Sequence, residues 1–143
     1  MKMKDISILW LRLSLSAGFL SAVASRLSLW GKQSSGWSNF LDYSAQVNSF
    51  LPKSFIPAIS IASTVMEAVL GIFLLIGFKT NLVAFFAGCL SLLFAFAMTF
   101  SFGIKEPLDY SVFAFSAGAF LLSAMPDHKW SIDQILDKNI SIS

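Results

Sequence analysis

Charge is what this chain has least of. Asp, Glu, Lys and Arg make up 13% of its 143 residues, against about 25% in a soluble domain. There is one cysteine, Cys89, and one histidine, His128. Those counts exclude an intrachain disulfide, a Cys-x-x-Cys redox pair, a zinc cluster, c-type haem attachment and a bis-histidine haem within one chain. No metal site is expected. A net charge of +2 is too small to argue for a nucleic-acid partner. Hydrolytic chemistry needs a nucleophile beside a base, and His128 lies in a tail with no such partner evident. Cys89 sits inside an apolar run and reads as a small packing residue.

What is present is apolar bulk. Hydrophobic residues are 56% of the chain, and fifteen are phenylalanine. Residues 1–143 read as a single membrane domain. The organising stretch is Phe55–Phe78, twenty-four residues with one charge, Glu67. About 20 apolar residues of helix cross a bilayer core, so this stretch is long enough. A carboxylate within a span normally faces other helices or water rather than lipid. Ser60, Thr64, Glu67 and Gly71 recur at spacings of four, three and four, which places them on one helical face. Ile61, Val65, Ile72, Phe73 and Ile76 cover much of the rest. Small and polar residues mark where membrane helices approach each other. Glu67 is therefore expected inside a helical bundle, either as a proton or ligand site or as a structural carboxylate bonded to a neighbouring helix.

Four spans are expected: 6–29, 55–78, 82–102 and 108–125. The first begins after Lys2 and Lys4. Its Ala22-Val23-Ala24 resembles a cleavage site, but the apolar run is long and interrupted by Arg12, which favours a span. Ser14, Gly18, Ser21, Ser25 and Ser28 form a small-residue stripe that reads as its packing face. Arg12 falls on the opposite side, close in angle to Phe19 and Arg26. Two readings compete for Arg12: a pair with Glu67, or snorkelling to the headgroups.

The connection 30–54 is not a plain linker. Trp37, Phe40, Leu41, Ser44, Val47 and Leu51 fall mostly on one helical face. This segment either lies in the interface plane or caps the mouth of the bundle. Pro57 sits in the first turn of the second span, where proline is tolerated. Gly77-Phe78-Lys79 is a helix stop followed by a tight turn, so the third span runs back beside the second. Ala84, Gly88, Ser91, Ala95 and Thr99 make the third span's small face, with Phe85, Phe86, Phe94, Phe96 and Phe100 as bulk. Asp109 is expected in the first turn of the fourth span, where a helix dipole favours a carboxylate. The alternative for Asp109 is a site role. Ala114 and Gly118 give a small-xxx-small contact.

Pro126 stops the fourth span. In the tail 126–143, Ser131 and Gln134 have capping-box spacing, so a short amphipathic helix is expected there. Four spans put both termini on one side. Five Lys residues lie on that side and four Lys or Arg on the other, a small bias towards cytoplasmic termini. That topology makes 30–54 extracytoplasmic and leaves the glycosylation pattern Asn139-Ile140-Ser141 unused. The expected class is thus all-α: an integral membrane four-helix antiparallel bundle, with an interfacial helical segment between the first two spans.

Several stretches together resemble the DoxX family of small bacterial and archaeal membrane proteins. They are Leu11-Arg12-Leu13, the run from Glu67-Ala68-Val69-Leu70-Gly71 to Gly77 and on into Lys79-Thr80, and the ending Trp130-Ser131-Ile132-Asp133. The likeness covers nearly the whole chain in span order. It implies a four-helix protein of the inner membrane. Some relatives are subunits of thiosulfate:quinone oxidoreductases or terminal quinol oxidase systems. The family's glycine-rich first span is here replaced by serines. Three functions are then in view. The first is a non-catalytic accessory or anchoring subunit, with the lipid bilayer and membrane proteins as partners. The second is a quinone-linked oxidoreductase component, in which Glu67, with or without Arg12, handles the proton. The third is a small solute- or lipid-binding protein. The sequence shows no ligand set for a bound cofactor, and a quinone would be the cofactor of the second reading. The intramembrane polar candidates are Glu67, Arg12, Asp109, Thr64 and Ser60.

Overall fold

The computed structural model describes residues 2–140, without the side chain of Ile140. Ser141, the third residue of the glycosylation pattern, lies outside the described residues. Those residues are helical, with no strand. The elements are α1 (Met3–Arg26), α2 (Gly36–Val47), α3 (Ile56–Ile76), α4 (Thr80–Phe102), α5 (Lys105–Asp109), α6 (Val112–Ser123) and α7 (Ile132–Ile140). Single 3-10 turns at Gly31–Gln33 and Lys53–Phe55 precede α2 and α3. Three helical stretches, Met3–Arg26, Lys53–Ile76 and Thr80–Phe102, are long and apolar enough to cross a membrane.

Helix α1 packs on α3, α3 on α4, α4 on α6, and α6 back on α1. Two of these contacts use the same device. Ser16 on α1 donates to the Gly71 carbonyl of α3 at 2.7 Å, and Ser116 on α6 donates to the Gly88 carbonyl of α4 at 2.8 Å. At both glycines the partner helix comes too close for a side chain. A Cβ on Gly71 would stand 2.9 Å from Leu20, and one on Gly88 2.9 Å from Phe120. Leu15, Phe19, Leu70, Leu74, Ala87 and Leu122 fill the core between the helices.

The expected faces of α3 and α4 are observed except at Phe73 and Phe94, which are half-buried against the core. Ser60, Thr64, Glu67 and Gly71 are buried, while Ile61, Val65, Ile72 and Ile76 are exposed. Ala84, Gly88, Ser91 and Ala95 are buried, while Phe85, Phe86, Phe96 and Phe100 are exposed. The α3 stop also falls where expected. Gly77 is left-handed at φ 68°, and Phe78 N–H closes on the Phe73 carbonyl at 3.0 Å.

Helix α1 reverses its expectation. Ser14, Gly18 and Ser21 are exposed, and the inward face is Ile8, Arg12, Leu15, Ser16, Phe19 and Val23. The side with the arginines is the buried one. Helix α1 also ends at Arg26 rather than near residue 29. Ser28 turns left-handed at φ 61°, and Leu29 N–H bonds the Ala24 carbonyl at 2.8 Å, which closes the helix.

The stretch expected as a fourth span, 108–125, is interrupted. Helix α5 ends at Asp109, Ser111 takes φ 56°, and α6 begins at Val112. Asp109 is therefore the last residue of α5 and not in the first turn of a span. It is exposed and pairs with Lys105 one turn back, so it leaves the set of intramembrane candidates. Ala114 is exposed, and the buried face of α6 is Ser116, Ala119 and Leu122. Gly118 lies against Leu11 of α1.

Candidate functional site

The site lies where the C-terminal end of α1 meets the N-terminal half of α3 beneath α2. Arg26 occupies the last turn of α1, where a helix dipole favours a cation. Its guanidinium grips Glu67 at two points. Nη2 donates to Oε1 at 3.1 Å, and Nη1 lies 2.8 Å from Oε2. Nη1 also donates to Thr64 Oγ1 at 2.9 Å. Two-point guanidinium–carboxylate pairs combine charge with fixed geometry, which suits a low-dielectric setting. Glu67 is 2% exposed.

Helix α2 closes this pair off from outside. Phe40 lies over the guanidinium, 3.9 Å from its carbon to the ring centroid, a cation–π contact. One turn on, Ser44 Oγ accepts from Ser60 Oγ at 2.9 Å. Ser44 and Val47 are buried. Within residues 30–54, α2 packs on α1, α3 and α4. Ser60 and Thr64 are linked in turn, since Thr64 Oγ1 is 2.8 Å from the Ser60 carbonyl. The spacing 60–64–67 thus describes one continuous polar seam from α2 to Arg26.

A cavity of about 160 Å³ adjoins the pair. Arg26, Phe40, Tyr43, Ser44, Asn48 and Ser63 are among its walls. Arg26 has five N–H groups. Two of them donate to Thr64 Oγ1 and Glu67 Oε1, and Glu67 Oε2, though 2.8 Å from Nη1, is buried without a hydrogen bond. Tyr43 and Ser44 add hydroxyls to the same wall. Burial raises the Tyr43 phenol above its ordinary value, with Tyr110 and Glu106 adding to the shift, so the wall keeps a neutral hydroxyl there. The cavity thus offers donors around a charge pair that is already balanced.

Arg12 belongs elsewhere. It is 2% exposed and neither pairs with Glu67 nor snorkels. Its Nη2 donates to the Trp130 carbonyl at 2.7 Å, and its Nη1 lies 3.5 Å from the Lys129 carbonyl. It fastens the tail to the end of the molecule opposite Arg26. Asp133 completes that clasp by accepting from Lys79 N–H at 2.6 Å and Thr80 N–H at 2.7 Å, which caps α4. Asp133 N–H returns a bond to the Gly77 carbonyl at 3.0 Å. Gly77 can only be glycine here: a Cβ would fall 2.4 Å from Ser131 and 2.6 Å from Arg12. Ser131 and Gln134 open α7 much as their spacing implies. Gln134 N–H reaches Ser131 Oγ at 3.2 Å, but the Gln134 side chain accepts from Trp130 N–H instead of Ser131 N–H.

Of the sequence-predicted candidates, the structure brings Glu67, Thr64 and Ser60 together and sends Arg12 and Asp109 to other places. The residue that reasoning missed is Arg26. Its signal was available, since positions 12, 19 and 26 share a face at heptad spacing, with an arginine at each end. Among the described residues no group of three or more His, Cys, Asp or Glu side chains is placed to hold a metal ion. No family model, no curated protein and no solved structure matches this chain.

Proposed function

We propose that this chain is a DoxX-like four-helix antiparallel protein of the inner membrane, and that its working site is the Arg26–Glu67 pocket. In this reading the pocket binds a neutral, lipid-soluble molecule through a hydrogen-bond-accepting head. The observation that carries it is that Arg26, with two of its N–H groups bonded to Thr64 and Glu67, also walls a cavity. Glu67 already balances Arg26. An anionic head would add an uncompensated charge in a low-dielectric setting, whereas a carbonyl or ether head would not. A quinone has such a head. In a quinone-linked role Arg26 would hold the carbonyl and Glu67 would be the nearest proton-exchanging group, with electrons supplied by a partner.

A second reading, the accessory or anchoring subunit, is favoured by a different observation. Ser14, Ala17 and Ser21 face outward on α1. Small residues on an outward membrane face suit close approach by a helix of another protein.

The test is to purify the protein in mild detergent and identify lipid-soluble molecules and proteins that co-elute. A neutral amphipath bound to the native chain and absent from Arg26→Gln is the expected result. If both preparations carry the same molecules in the same amounts, the pocket is not the working site. A protein partner lost on Ser21→Leu, with the pocket empty in both, would turn the reading to the subunit role.

A further inference from the structure

A second cavity lies on the outside of α3 and α4, and it is of the opposite character. Ala62, Met66, Leu93, Phe96, Ala97 and Phe100 are among its walls, and its volume is about 610 Å³. Four residues, Asn48, Ile59, Ser63 and Phe94, line both this groove and the polar cavity. The two spaces are therefore neighbours across a shared wall and not separate features of the surface. Along α4 the groove runs from Leu90 to Phe100. Ten residues of helix at 1.5 Å each make that about 15 Å. Its outer rim is apolar and exposed: Met66 at 45%, Leu93 at 64%, Phe96 at 49% and Phe100 at 83%.

We infer that the ligand of the Arg26–Glu67 pocket carries a single long hydrocarbon chain, and that this chain lies in the α3–α4 groove after entering sideways from the bilayer. The inference rests on the pocket reading above and adds the shape of the ligand and its route. The polar head needs donors, and these lie behind Ser63 and Asn48. The tail needs apolar wall, and this begins at Ile59 and Phe94. A route from the aqueous side is covered by α2, whose Phe40 stacks on Arg26 and whose Ser44 bonds Ser60. The outer side of the groove presents small or apolar side chains, among them Ala62, Met66, Leu93 and Ala97. The chemistry shared by the candidate sources is a neutral acceptor head on one chain, met both in a prenylated quinone and in a protonated fatty acid.

The test uses the full chain in lipid nanodiscs with two probes, a decyl-substituted benzoquinone and the same ring without the decyl chain. Ala62→Trp fills the groove from an exposed position and leaves the pocket untouched. The decyl probe should bind at least tenfold tighter than the tail-less ring to the native protein, and Ala62→Trp should abolish that advantage. Equal binding of both probes, or an advantage unchanged in Ala62→Trp, overturns the groove assignment. Arg26→Gln separates the two levels. If it abolishes binding of both probes while Ala62→Trp does nothing, the pocket stands and the groove falls. If neither variant matters, the pocket reading falls and the groove with it. A decyl chain carrying a terminal diazirine gives a check on unaltered protein, with labelling expected on Ala62–Met66 and Leu93–Phe100. Labelling confined to other helices overturns the route. Competition by oleic acid but not by a long-chain quinone would identify the fatty-acid source, and the reverse the quinone source.

Discussion

Arg12 and Arg26 lie on the same face of α1, fourteen residues or about 21 Å apart, and both are largely shielded from solvent. Arg12 spends its donors on backbone carbonyls of the tail and meets no carboxylate directly. Arg26 meets a carboxylate at two points and is part of a cavity wall. The first arrangement has no carboxylate, leaves its Nε buried without an acceptor, and closes one end of the molecule. The second is charge-balanced but not hydrogen-bond-saturated, and it adjoins open space. The same residue type on one helical face thus acts as a fastener at one end and a candidate receptor at the other. What distinguishes them is the set of acceptors, not burial.

The largest expected effect breaks the Arg26 end. Glu67→Leu leaves a buried guanidinium without its carboxylate, and losing one partner of a buried pair costs on the order of 3–5 kcal/mol. The thermal unfolding midpoint in detergent should fall sharply. Replacing both partners, as Arg26→Met with Glu67→Leu, should restore most of that stability while ligand binding stays lost. If the double variant is as unstable as the single one, the pair is structural in a way the cavity does not require.

Next comes the Arg12 end. Arg12→Met removes charge-assisted bonds to the tail, each contributing about 1.5–3 kcal/mol. The loss should be local. Hydrogen exchange should rise across Lys129–Lys138 and stay unchanged around Thr64. Equal acceleration at both ends would show that the two arginines are not independent.

The smallest effect is one of pH, and it sharpens the same contrast. His128 packs beside the Arg12 clasp and is 7% exposed. Asn81 points its amide nitrogen at the Ser123 and Met125 carbonyls, both at 2.7 Å, so its oxygen faces His128 Nε2 at 3.0 Å. Nε2 therefore carries the proton, and a second proton would place an N–H on Nδ1, which is buried without an acceptor. Burial lowers the imidazole below its ordinary value; Arg12 adds to the lowering, while Asp133 and Asp127 oppose it. With the folded value depressed, the contribution of the neutral ring is complete above the ordinary histidine value of about 6.5. It is lost as pH falls through the lowered folded value. Exchange in the tail should accelerate as pH falls from about 6.5 through that lowered value, and His128→Gln should remove the dependence. No such change is expected at Arg26.

Much of this was legible from the residues because two helices obey one rule. In α3 and α4 the small and polar residues are inside and the bulky ones outside, so the seam Ser60–Thr64–Glu67 was readable from spacing alone. Gly77 and the Ser131–Gln134 spacing were readable because each serves a helix end locally. Helix α1 defeats the rule. Two arginines need acceptors, and these exist only within the protein, so their face turns inward and the serine stripe turns out. Serine tolerates that position because a helical hydroxyl can bond the carbonyl four residues back, as Ser7 does to Met3 at 3.0 Å. The Arg12 clasp depends on Trp130 and Lys129 carbonyls, which belong to the backbone and leave no trace in side-chain pattern. The interruption at Ser111 was equally hidden, since a left-handed serine within an apolar run carries no propensity signal.

That interruption bears on the surrounding lipid. Helix α6 has 12 residues and so measures about 18 Å, against a hydrocarbon core of about 30 Å. Its neighbours α1, α3 and α4 are long enough to cross. In a bilayer the protein would then have one short side, and hydrophobic mismatch would be confined to that flank. The acyl chains beside α6 would have to pull in or splay, while those beside α3 would not. Were it inserted, such a lopsided girth would deform the bilayer in one direction, and a second copy or a thinner patch of bilayer would relieve that deformation where it met the α6 edge.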